Sequence, residues 1–83
     1  MRVHPMEVQL RLDFSDAERA ILSPSFTFGD AEEQLSYAVD RFGSERVATL
    51  IVNAKDRDIA ELALTEVDGL SEPDKDRIRK LLQ

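Results

Sequence analysis

Apolar and polar residues alternate strictly through the first part of the chain. Met6, Val8, Leu10, Leu12 and Phe14 are interleaved with Glu7, Gln9, Arg11 and Asp13. A period of two over nine residues predicts a strand, 6–14, with one buried and one wet face. Ser15-Asp16-Ala17-Glu18 then has the spacing of a capping box. The helix it opens is short, because Pro24 disfavours helical geometry at Ser23. Ser25-Phe26-Thr27-Phe28 reads as a brief extended segment that sets both rings on one side and ends at Gly29.

The period changes after Asp30. Ala31, Leu35, Ala38, Val39 and Phe42 lie at offsets 0, 4, 7, 8 and 11, one stripe of a helix whose first turn carries Glu32 and Glu33. Gly43 stands where a left-handed residue ends such a helix. Val47-Ala48-Thr49-Leu50-Ile51-Val52 is rich in β-branched residues and apolar on both faces. It predicts a central strand, 46–53, covered on both sides; the alternative is a helix capped at Ser44. Lys55 to Asp58 is a charged turn. Ile59, Leu62, Ala63 and Val67 mark a helix ended by Gly69, with Leu70 in the position of a Schellman contact. Ser71-Glu72-Pro73-Asp74 caps a last helix with Ile78, Leu81 and Leu82 on its apolar stripe.

These elements predict an α+β fold: a small sheet of two or three strands, mainly 6–14 and 46–53, with three or four helices packed against it. No repeat or linker divides residues 1–83, so one small domain is expected, with residues 1–5 flexible. A chain this short buries only about 60% of its unfolded surface, and a strand apolar on both faces needs further cover. A homodimer is expected on both grounds.

Composition narrows the function. The 83 residues carry 17 Asp and Glu against 11 Lys and Arg, a formal charge of -6, with one His and no Cys. The apolar fraction of 42% is too high for a disordered acidic tail. Without cysteine there is no disulfide framework and no thiolate-ligated metal. Glu7, Gln9, Arg11 and Asp13, at every second position, interrupt any signal-peptide core. The uncharged run Val47 to Ala54, like every other in the chain, falls far short of the ~20 residues of a spanning helix. No membrane association is expected, and the cytoplasm is the expected compartment.

Catalytic constellations are scarce. His4 is the only imidazole and sits in the N-terminal segment. The glycines at 29, 43 and 69 are isolated, so phosphate-binding loops are absent. Asp56-Arg57-Asp58 and Asp74-Lys75-Asp76 have the acid spacing of a calcium loop but lack its remaining ligands. Asn53, Pro73 and Ile78 occupy the positions two before Lys55, Lys75 and Lys80, where metal-dependent nucleases place an acid. Neither a catalytic residue nor a cofactor or metal site is assigned, and the chain is expected not to be an enzyme.

Charge is unevenly spread. Asp56 to Asp74 holds seven acids and one base; Lys75 to Gln83 holds four bases (Lys75, Arg77, Arg79, Lys80) and one acid. A helix-turn-helix aligned on Gly69 would want a small residue at Thr65 and an apolar one at Lys75, so that reading is poor. The expected function is that of a small acidic interaction protein that binds a basic protein partner as a regulator, inhibitor or assembly subunit. The candidate contacts are Phe26, Phe28, Asp56, Asp58, Lys75, Arg77, Arg79 and Lys80. Two alternatives are a nucleic-acid-binding regulator using the basic last helix and a carboxylate-based, metal-dependent enzyme.

Overall fold

The structure is a computed structural model and describes residues 11–24 and 29–83. Among the described residues there are five helices and no strand: α1 (Asp16–Leu22), α2 (Ala31–Phe42), α3 (Ser44–Ala54), α4 (Arg57–Glu66) and α5 (Glu72–Leu82). The expected α+β fold, with its small sheet, is therefore wrong. Residues 1–5, most of the predicted strand 6–14 (residues 6–10) and the segment with Phe26 and Phe28 lie outside the described residues.

The two strand assignments fail for different reasons. In the remainder of 6–14, Leu12 and Phe14 are buried and Asp13 is exposed, as the alternation requires. Arg11 is helical, however, and the Phe14 amide donates to the Leu12 carbonyl at 2.9 Å across a tight turn. Alternation reported which side chains are enclosed but not the backbone that encloses them, because the described residues hold no strand to complete a ladder.

The predicted strand 46–53 is the body of α3. Val47, Ala48, Leu50 and Ile51 are buried on one side, while Glu45, Arg46 and Asn53 face solvent. The four β-branched residues Val47, Thr49, Ile51 and Val52 each disfavour a helix by roughly 0.5 kcal/mol relative to alanine. Burying Val47, Leu50 and Ile51 returns about 1.5–3 kcal/mol each. Packing outweighs propensity, and the chain takes the conformation that places these side chains together. The two-faced strand was also one of the two grounds for a homodimer, which now rests on chain length alone.

The helix ends follow local chemistry. Ser15 and Glu18 form the capping box: the Glu18 amide donates to Ser15 Oγ at 3.2 Å, and the Ser15 amide donates to Glu18 Oε1 at 2.8 Å. Asp30, Asp56 and Ser71 cap α2, α4 and α5 through their side chains. Gly43 ends α2 and begins α3 in one step, at φ 92° and ψ 157°. This differs from the expected left-handed cap, and only glycine adopts such a conformation readily. Nor does Gly69 cap α4. That helix stops at Glu66, Val67 is extended, and Gly69 lies in the connection at φ +97°, where an added Cβ would sit 3.1 Å from Val39 Cγ1.

One apolar cluster runs through all five helices. Leu12, Leu22, Leu35, Val47, Ala48, Ile51, Ile59, Ala60, Ala63 and Ile78 are almost fully enclosed within it. Phe14 meets Phe42 with ring centroids 6.1 Å apart and planes tilted by 49°, joining the α1 approach to the end of α2. α5 packs on both α3 and α4, and α2 packs on both of these as well. No helix among the described residues is long and apolar enough to cross a membrane.

Candidate functional site

The densest polar constellation joins the N-termini of α3 and α5. Asp74, on the first turn of α5, is 6% exposed. Its Oδ2 accepts from Ser44 Oγ at 2.5 Å and from Ser71 Oγ at 2.8 Å. Its Oδ1 accepts from Arg77 Nη1 at 3.2 Å, while Arg77 Nη2 donates to Thr49 Oγ1 on α3 at 2.8 Å. Ser44 Oγ in turn accepts from the Ser71 amide at 2.9 Å. The Ser44 hydroxyl, then the Ser71 hydroxyl, then Arg77 hold the Asp74 carboxyl below the usual aspartate range, against the opposing effect of burial.

A serine beside a buried carboxylate invites a catalytic reading, and the chemistry argues against it. A base that activates a hydroxyl must be ready to take its proton near neutral pH. Asp74 is biased the other way, toward staying ionised, and no imidazole completes the set among the described residues. The arrangement is suited to joining two helices.

A second joint ties α1 to α3. Arg46 donates to both oxygens of Glu18, from Nε at 3.0 Å and from Nη2 at 2.9 Å. These bonds, together with those from Ser15, push the Glu18 carboxyl down to about 2.

The acids chosen from the sequence lie at the start of α4, Asp56 as its N-cap and Asp58 in its first turn. Asp56 caps α4 through the Ile59 amide at 3.2 Å and pairs with Arg11 at 2.8 Å; Asp58, more exposed, is 3.9 Å from the same guanidinium. With Lys55, Arg57 and Ala54 they line an open cleft of about 480 Å³. Both acids thus have electrostatic partners within the chain. No group of three or more acids or histidines converges as a metal site among the described residues.

The basic residues of α5 are likewise engaged. Lys75 lies 3.7 Å from Glu72, Arg77 is tied to Asp74, and Arg79 pairs with Asp76 and approaches Glu72 at 3.8 Å. Lys80 is exposed, with no ion-pair partner among the described residues. Asp56 and Asp58 are brought together with Arg11, and Lys75, Arg77, Arg79 and Lys80 share α5. The structure assembles no single site from all of them.

The sequence reading missed the two joints. The spacing of Ser71 and Asp74 announced a cap, but nothing local announced that Ser44, 30 residues away from Asp74, would complete it. The pairing of Glu18 with Arg46 spans 28 residues and was equally silent. Comparison with protein-family models, curated proteins and solved structures finds no match.

Proposed function

We propose that this chain is a small acidic interaction protein of the cytoplasm, without catalytic activity of its own. In this role it binds a basic protein as a regulator, inhibitor or assembly subunit. The observation that carries the proposal is the outer face of α4. Asp58, Glu61 and Thr65 are exposed at offsets 0, 3 and 7, one side of the helix, and exposed Asp68 follows just beyond its end. Glu61 and Asp68 have no ion-pair partner among the described residues, so their charge is directed outward. A surface of this sign attracts a basic partner and raises its rate of association.

The nucleic-acid alternative draws little from α5. Most of its cations are already neutralised by Glu72, Asp74 and Asp76, which leaves little counterion release to drive binding. The test is charge reversal of α4. Affinity capture with the Glu61→Lys/Asp68→Lys double variant should lose a basic protein that the wild-type chain retains, and moderate salt should elute that protein from the wild type. Retention unaffected by the reversal and by salt would count against the reading. Surface substitutions of this kind change stability by about 0.5 kcal/mol or less, so a folded control is expected.

A further inference from the structure

α5 is held differently from the helices on which it lies. α3 buries Val47, Ala48, Leu50 and Ile51; α4 buries Ile59, Ala60, Leu62 and Ala63. α5, with 11 residues like α3, buries one apolar side chain, Ile78, and one carboxylate, Asp74. Leu81 and Leu82 are half-buried toward its other end, where Arg57 Nη2 on α4 donates to the Leu82 carbonyl at 3.1 Å.

Apolar attraction scales with enclosed area and tolerates small displacements. Hydrogen bonds do not: their strength falls steeply with distance and angle. Ser44 Oγ, Ser71 Oγ and Arg77 Nη1 all converge on the one Asp74 side chain, so displacing that carboxylate releases all three bonds together. A non-helical segment joins α4 to α5, with Val67 and Leu70 buried in the core on either side of exposed Asp68 and Gly69. Residues 67–71 are non-helical, with Val67 extended and Gly69 at φ +97°.

We infer that α5 is a latched lid: it opens as a unit about residues 67–71, released by the Ser44–Ser71–Asp74–Arg77 clasp, while α2, α3 and α4 stay folded. Opening uncovers the apolar faces of α3 and α4 on which α5 lies, including the part of the core that Ile78 closes. The inference is independent of the proposed binding role of α4.

Residue-resolved hydrogen exchange on the full chain tests it. Amides 75–82 are expected to exchange at least tenfold faster than those of 47–51 and 59–63, as a sub-global opening requires. Asp74→Asn should accelerate 75–82 by about a further tenfold and change 47–51 by less than twofold. Ser44→Ala, which removes one donor to Asp74 and the acceptor of the Ser71 amide, should accelerate the same amides by a smaller factor and provides the test should Asp74→Asn fail to fold. Equal protection of 75–82 and 47–63 in the wild type would overturn the lid. So would a Ser44→Ala variant that accelerates every helix alike or leaves 75–82 unchanged.

Discussion

α3 and α5 have the same length and lie against each other, yet opposite kinds of force hold them. α3 inserts four apolar side chains into the core; α5 inserts Ile78 and relies on a carboxylate that gathers two hydroxyls and a guanidinium. The first arrangement is forgiving in geometry, and its strength is spread over many contacts. The second is concentrated in one side chain, Asp74, and inherits that group's sensitivity to protonation. One small core thus contains two mechanical regimes.

The largest effect should come from the apolar side of this comparison. Ile51→Ala, at a site with no solvent exposure, should cost about 2–5 kcal/mol of global stability, measured by urea denaturation with the slope unchanged. A loss under about 1 kcal/mol would mean that the core of α3 repacks freely, and the contrast with α5 would weaken.

Acid should act on the polar joints. Glu18 and Asp74 are both held below their ordinary values, 4.5 and 3.8, so the unfolded chain takes up their protons first as pH falls. Their stabilisation is complete above those ordinary values. It declines as pH drops through the range below them and, for Glu18, is lost as pH passes about 2. Arg46 and Ser15 face Glu18, with the Asp13 carboxylate acting on Arg46; Ser44, Ser71 and Arg77 face Asp74. The urea midpoint should fall steeply below pH 4.5, and Glu18→Gln should flatten part of that slope. An unchanged slope in Glu18→Gln would remove the pairing with Arg46 as a source of stability.

The smallest effect should come from a local cap. Ser15→Ala deletes the hydroxyl that accepts from the Glu18 amide and should cost about 1 kcal/mol in the same denaturation assay. A cost of several kcal/mol would show that the cap also supports the α1–α3 joint, since Glu18 serves both.

Helix starts were legible because they depend on a few neighbouring residues. Ser15 with Glu18, Asp30 with the acids behind it, and Ser71 ahead of Pro73 each satisfy amides within one turn. The apolar stripe of α2 was legible for the same reason, with Ala31, Leu35, Ala38 and Val39 all buried as the period required. Gln34, also buried on α2 and donating from Nε2 to the Gly29 carbonyl at 3.0 Å, has no apolar signature and could not be found that way. Of the candidate contacts, Asp56 is the N-cap of α4 and Asp58 lies in its first turn; their pairing with Arg11 was not visible in the sequence. Phe26 and Phe28 lie outside the described residues.

By itself the sequence determined the N-caps at Ser15, Asp30 and Ser71 and the stripe of α2, because each is set by spacing along one helix. The conformation of 46–53 was decided by tertiary structure. Its β-branched residues favour a strand locally, and only the enclosure of Val47, Leu50 and Ile51 by neighbouring helices makes a helix the better answer. Tertiary structure likewise decided the roles of Ser44, Asp74, Glu18 and Arg46. A hydrogen bond across 28 or 30 residues depends on where two helices come to rest, which no local spacing records.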